Sequence, residues 1–161
     1  MRFKSIFTCS LVLLMVSCFS VMAQRSINVL PDFKFVKMDG TAFTKSHIKP
    51  QEKSILIYFD PTCDHCQKEA DEIGKRYNDF KNVSFYLISR SSKADVSTFM
   101  RTYGKRINGK KNVIVLLDPN SEFMMKFSPT QYPAIYVYSK GKLIKSFSGT
   151  TNVNEILAAA K

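Results

Sequence analysis

Ser54-Ile55-Leu56-Ile57-Tyr58-Phe59 is an unbroken apolar run of β-forming residues, and Asp60-Pro61 ends it. A strand with no polar alternation must be covered on both faces. That requirement points to a layered α/β domain, with helices on either side of a central sheet. The flanking pattern agrees. A helix is predicted from about Cys63 to Phe80, with Ala70, Ile73, Tyr77 and Phe80 at helical spacing, Thr62 able to cap it and Gly74 a mild weak point. Val83–Ile88 reads as the next strand. Val96, Phe99, Met100 and Tyr103 mark a second helix that stops near Gly104. Asn112–Leu117 reads as a third buried strand, followed by a short helix over Asn120–Phe127 whose Phe123, Met124 and Phe127 are expected in the core. Ala134–Tyr138 and Leu143–Phe147 flank Ser139-Lys140-Gly141-Lys142 as a hairpin, and Val153, Ile156 and Leu157 mark a closing helix. The late hairpin makes the sheet mixed. Upstream, Asp39-Gly40 between short alternating runs predicts an N-terminal hairpin extension.

The first residues are of another kind. Arg2 and Lys4 precede an apolar stretch from Leu11 to Ala23, and Val21-Met22-Ala23 suits a cut before Gln24. This reads as a secretory signal over residues 1–23, with the folded domain over 24–161. An uncleaved anchor is the alternative, although a spanning helix needs about 20 apolar residues. Leu14-Met15-Val16-Ser17-Cys18 loosely resembles a lipid-attachment motif, which would anchor the chain at Cys18. Export implies an oxidising, periplasm-like compartment. The formal net charge is +11, with five basic residues between Arg101 and Lys111. Export removes most nucleic acid from reach, so this charge is read as a solvated surface, suited to acidic partners or anionic membranes.

Cys9 and Cys18 leave with the signal, and Cys63 and Cys66 remain. A Cys-x-x-Cys pair closes only a tiny loop and constrains the unfolded chain little. Its use is chemical. Both sulfurs fall on one helix face. Cys63, at the helix start, occupies a position that favours a thiolate and is assigned as nucleophile. Cys66, one turn in, is assigned as resolving thiol. His65, if protonated, would stabilise that thiolate, and Asp64 would oppose it; alternatively both simply face solvent. Glu69 shares a face with Cys66 and is placed to relay its proton, or else is an ordinary exposed helix glutamate. A zinc site wants four ligands, and one Cys-x-x-Cys with His65 inside it and His47 alone does not supply them. Tyr132-Pro133 precedes the hairpin and is a candidate cis peptide.

With Cys63-Asp64-His65-Cys66 after a buried strand and Pro133 before a late hairpin, the chain resembles the thioredoxin-like superfamily over roughly residues 30–160. Pro31-Asp32-Phe33, Asp39-Gly40 and Cys63-x-x-Cys66-x-x-Glu69 are similar to the exported TlpA-like, redoxin-type members. The resemblance implies a thioredoxin-like fold and a thiol-disulfide oxidoreductase. Cys63 and Cys66 would form the redox-active disulfide, Glu69 would be functional, and Pro133 would be a cis-proline facing the pair, with Tyr132 and Pro133 meeting substrate. It implies no bound cofactor. The expected partners are protein disulfides or dithiols, a membrane-bound electron donor and apocytochrome c, and a monomer is expected. There are departures: Thr62 stands where many members carry Trp, the strand Ile55–Phe59 lacks a buried aspartate, and Tyr132 replaces the usual Thr or Val. The reading is a reductase or isomerase of protein disulfides. Its rivals are a disulfide-donating oxidase and a binding module with a non-catalytic disulfide. A peroxiredoxin fits less well, because a peroxidatic cysteine usually lacks a partner three residues on.

Overall fold

The computed structural model describes residues 27–161. The expected export signal, the cut before Gln24 and lipid attachment at Cys18 fall outside the described residues. In chain order the elements are β1 (Lys34–Lys37), β2 (Ala42–Thr44), β3 (Lys53–Tyr58), α1 (Asp64–Lys75), β4 (Val83–Ser89), α2 (Lys93–Thr102), β5 (Val113–Leu117), α3 (Glu122–Phe127), β6 (Ala134–Ser139), β7 (Lys142–Ser148) and α4 (Val153–Ala159). The strands form one sheet in the order β2-β1-β5-β4-β3-β6-β7. β3, β4 and β5 run parallel, and every other pairing is antiparallel. This is the mixed sheet with an N-terminal hairpin that the sequence pattern requires.

The steps from β3 to β4 and from β4 to β5 move the same way across the sheet. Right-handed crossovers therefore put α1 and α2 on one face. Strand alternation sorts the core accordingly. Ile55, Ile57 and Phe59 meet Phe85 and Leu87 of β4, Ile135 and Val137 of β6, and the apolar stripes of α1, α2 and α4. Leu56 and Tyr58 join Tyr86, Ile88, Ala134, Tyr136 and Tyr138 on the other face, beneath α3 and the N-terminal hairpin. That second layer is aromatic. Phe123 stacks on Tyr58 at 4.5 Å and on Phe127 at 4.2 Å, and Phe33 stacks on Phe35 at 4.5 Å. Short α3 is held at its start by fully buried Asp118, whose carboxylate accepts the N–H groups of Glu122 at 2.8 Å and Phe123 at 2.9 Å. The β6–β7 turn has positive φ at Lys140 and Gly141, 49° and 74°, as a two-residue hairpin turn requires.

Three expectations change. The first helix ends at Lys75 rather than near Phe80, and Tyr77–Asp79 form a separate 3-10 turn. Asn78 and Asp79 have low helix propensity, and the Asp79 carboxylate is held by Arg76, while Phe80 still reaches the core. β5 is half-buried except at Leu116, because β1 pairs only with Leu116 and Leu117. Met124 is 39% exposed, since its neighbours Phe123 and Phe127 take the inward face of α3. Phe123→Ala is accordingly expected to cost about 3–5 kcal/mol of unfolding free energy. Met124→Ala is expected to stay within about 0.5 kcal/mol of the parent. Urea denaturation of the two variants checks the contrast, and equal losses would contradict this placement of α3.

Candidate active site

β3 delivers the chain to the site, and Asp60 bends it there. The Asp60 carboxylate accepts the Thr62 N–H at 2.8 Å and the Thr62 hydroxyl at 2.7 Å, while its carbonyl accepts the Cys63 N–H at 3.1 Å. This Asx-type turn converts a strand into a helix start within three residues. Cys63, not Thr62, is the residue that caps α1, because Thr62 spends its hydroxyl on Asp60. Gln67 ties the turn down from within α1 by donating to the Pro61 carbonyl at 3.0 Å.

The two cysteines, present as free thiols, are unequal. Cys63 is half-buried, and its thiol points at the Tyr132 carbonyl, 4.0 Å away. Cys66 is 2% exposed, and burial pushes its thiol up from the ordinary cysteine value. The Tyr132–Pro133 peptide is cis, as the residue pattern suggested. Pro133 is held by its carbonyl, which accepts the Gly149 N–H at 3.0 Å. Tyr132 packs its ring 5.2 Å from Tyr58. Thus α1, the 130–133 loop and the 149–151 loop meet around Cys63.

Glu69 is buried, 4% exposed, so the exposed-glutamate alternative fails. Its Oε2 accepts only a long bond from the Thr151 N–H, 3.4 Å, and its Oε1 has no hydrogen-bond partner among the described residues. Burial raises its carboxyl to about 7; the Thr151 N–H opposes this, Glu72 adds to it and Lys68 opposes it. His65 is exposed and lies 2.9 Å, through Nδ1, from the Thr150 hydroxyl. It therefore engages the 149–151 loop rather than solvent alone. His47 accepts the Thr44 N–H at 3.0 Å and stacks on Phe43, far from the cysteines in the fold. Among the described residues no group of three His, Cys, Asp or Glu side chains is arranged to hold a metal ion.

Asp60, Thr150 and Thr151 were not foreseen. The Asp-Pro-Thr sequence carries a turn signal that marks Asp60. Thr150 lies 85 residues from His65, and nothing local announces it.

A sequence profile of the AhpC/TSA family matches residues 28–147. This chain belongs to the AhpC/TSA family. Members of the AhpC/TSA family are oxidoreductases. The structure also has the thioredoxin-like fold. It is similar to DsbF of Mycobacterium tuberculosis, solved in mixed oxidised and reduced forms, with 20% identity over 84% of this chain and 96% of that one and a TM-score of 0.67. It is similar to a thio-disulfide isomerase from Thermus thermophilus, with 23% identity, 82% and 92% coverage, and a TM-score of 0.65. It is similar, too, to peroxidoxin BcpB of Mycobacterium tuberculosis, with 16% identity, 82% and 93% coverage, and a TM-score of 0.67. No curated protein matches it in sequence. At these identities the likeness to the solved structures is one of fold, and the chemistry has to be argued from the site of this AhpC/TSA member.

Burial of Glu69 makes a stability prediction. Its folded value, about 7, lies above the ordinary 4.5. The folded state then holds the proton more tightly than the unfolded chain. Below the unfolded value both states are protonated and nothing is lost; as pH rises toward the folded value, stability falls. The loss attributable to Glu69 is about 3 kcal/mol once both states are ionised. Glu69→Gln should remove this component, so the parent loses more stability than the variant between acid and alkaline conditions. Parallel losses in the two, measured by denaturant titration across that range, would contradict a buried, proton-holding Glu69.

Proposed function

We propose that this chain is a thiol-disulfide oxidoreductase that reduces or isomerises protein disulfides outside the cytoplasm, cycling Cys63 and Cys66 between dithiol and disulfide. The observation that carries the reading is the inequality of the pair. A half-buried thiol stands at the N-cap position of α1 in reach of the Tyr132 carbonyl, and a buried thiol sits one turn behind it.

Each step follows from that geometry. The Cys63 thiolate attacks one sulfur of a substrate disulfide, forming a mixed disulfide and expelling the first substrate thiolate, which takes a proton from solvent. Cys66 must then lose its proton to attack Cys63, and burial resists that loss. Glu69, on the same helix face, is the proton acceptor we assign; a carboxyl near 7 is matched to that task. Attack by Cys66 closes the Cys63–Cys66 disulfide and releases the second substrate thiolate. Two electrons have passed from the protein to the substrate. Tyr132 and Pro133 form the wall against which the substrate lies, and His65, tied to Thr150, flanks the Cys63 thiol.

No bound cofactor enters the cycle, so an external dithiol must reduce the pair again. A membrane-bound donor fits an exported chain, and apocytochrome c is a substrate in keeping with the TlpA-like pattern of Cys63-x-x-Cys66-x-x-Glu69. The charged and apolar N-terminal sequence supports export, with lipid attachment at Cys18 as the tethered form. The domain is taken to work as a monomer.

Membership of the AhpC/TSA family and the likeness to a peroxidoxin favour one other reading. There, a peroxide would oxidise the Cys63 thiolate to a sulfenic acid, and Cys66 would condense with it, releasing water. One set of assays separates the two. Insulin reduction driven by dithiothreitol should be lost in Cys63→Ser. Cys66→Ser should accumulate a mixed disulfide with insulin, and Glu69→Gln should slow its resolution by about 100-fold in the parent protein. Rapid hydrogen peroxide consumption without insulin reduction would establish the peroxidase instead. Insulin reduction surviving in Cys63→Ser would exclude both. A redox titration then assigns direction: a potential well below the glutathione couple marks a reductase, and one above it an oxidase or isomerase, with about 30 mV equal to about 1.4 kcal/mol.

A further inference from the structure

The parallel strands β3, β4 and β5 all start at the end of the sheet opposite Cys63. Lysines crowd that end. Lys53 opens β3, Lys81 precedes β4, Lys110 and Lys111 precede β5, and Lys140 forms the β6–β7 turn beside Lys142. The register brings these starts together: Lys53 lies opposite both Val83 and Ser139, and Phe85 lies opposite Val113. The nearby acids are already engaged. Glu52 pairs with Lys49 at 2.9 Å and accepts the Ser84 hydroxyl, and Asp79 pairs with Arg76. Lys53, Lys81, Lys111, Lys140 and Lys142 have no carboxylate partner among the described residues. At the other end, Asp60 and Asp118 follow β3 and β5, and Asp64, Asp95 and Glu122 stand in the first turns of the helices. The net positive charge is therefore lopsided along the sheet.

Helix dipoles do not explain the lysine end. They favour cations in the last turns of helices, where Lys75, Arg101 and Lys126 already sit. The lysines at issue lie in loops before strands. A second feature bears on the ligand. A hollow of about 380 Å³ opens at this end, with Leu30, Ile48, Pro50 and Tyr138 among its lining; Lys140 borders it without a carboxylate partner, while Lys45 and Lys49 beside it are paired with Asp32 and with Glu52, which also lines it. Cationic groups around an apolar lining suit a phospholipid, which offers phosphate and hydrocarbon together. Single-stranded nucleic acid would require a row of exposed aromatic rings for stacking; here Tyr138 is 1% exposed and Tyr77 is half-buried with Lys110 over its ring.

We propose that this lysine-rich end is a docking surface for an anionic phospholipid bilayer, which would leave Cys63 facing away from the membrane. The proposal is independent of the thiol chemistry. Attraction of this kind is worth roughly fivefold in partition per lysine near the surface, and salt weakens it over a Debye length of about 8 Å.

The test is co-sedimentation of the full chain with vesicles of phosphatidylcholine, with and without phosphatidylglycerol. The N-terminal stretch, with Arg2 and Lys4, is common to the parent and the variants, so the readout is the change in preference for the anionic vesicles between them. The preference should exist, should fall with added salt, and should drop about 25-fold in K111Q/K140Q. The charge-matched R90Q/K93Q, altered at the other end, should lose much less. Equal losses in the two variants, no preference in the parent, or a preference insensitive to salt would overturn the proposal. Retention of the parent by polyglutamate but not by anionic vesicles would overturn it in favour of an acidic protein partner. Should K111Q/K140Q misfold, as judged by circular dichroism, K81Q/K142Q, altered at exposed lysines of the same end, takes its place against R90Q/K93Q.

Discussion

The structure depends on β3 being buried on both faces. Every residue from Ser54 to Tyr58 is at most 5% exposed. Ile55 and Ile57 face α1, α2 and α4, while Leu56 and Tyr58 face the aromatic layer around Phe123. A slip of one residue would exchange these sets and force Tyr58 into the aliphatic face. Register is therefore fixed by packing on two sides, and so is the point where the strand ends. Cys63 stands only five residues beyond Tyr58, and the bonds within Asp60-Pro61-Thr62 leave it no freedom to wander. The position of the thiol is set by the core before any functional contact is made.

What could be read from the residues follows the same logic. The order of elements, the two hairpins and the Cys63–Cys66 pair were legible, because apolar runs, Asp39-Gly40, Lys140-Gly141 and Cys-x-x-Cys are local signals. The failures arose where a neighbour distant in sequence decides. Asn112–Leu117 has the pattern of a fully covered strand, but the covering strand β1 reaches only its last two residues. Met124 is as apolar as Phe123, and only the short span of α3 shows which of them turns inward. The site divides likewise. The two thiols and Pro133 could be named from motif and position, whereas the 149–151 loop that meets His65 and Glu69 comes from the far end of the chain.

Glu69 shows the difference most clearly. Its spacing from Cys66 leaves a functional and an ordinary reading equally open, and burial separates them. A carboxyl held inside a protein with one oxygen unpaired is costly. Packing alone gives no reason to keep it: Ala70 and Ile73 on the same helix show that this face otherwise takes apolar side chains. The cost makes sense where a proton has to be accepted inside the domain. Under the proposed function that proton comes from Cys66, which precedes Glu69 by one turn of α1 and is buried as well. Burial raises the pKa of both groups and so weakens both as acids; the Cys66 proton would move to Glu69 in the proposed resolving step, although no hydrogen bond joins the two in this geometry.

The likeness of one scaffold to disulfide oxidoreductases and to a peroxidoxin has a physical explanation in this arrangement. Both chemistries begin with a thiolate at a helix start, and the sheet supplies that in either case. They diverge in what must fit above it. A peroxide is small and needs only an opening, whereas a protein disulfide arrives on a polypeptide and needs a wall with free backbone groups. Here the Tyr132 carbonyl is turned toward Cys63, at the edge of a loop held by Pro133 and Gly149. Under the proposed function a peptide lying along that loop would find a backbone acceptor beside the sulfur it must present, from which a peroxide would gain nothing. The second thiol argues the same way. With Cys66 one turn behind Cys63, under the proposed function the mixed disulfide would be resolved without unfolding any element, so a large substrate could be reduced and released while the domain keeps its fold.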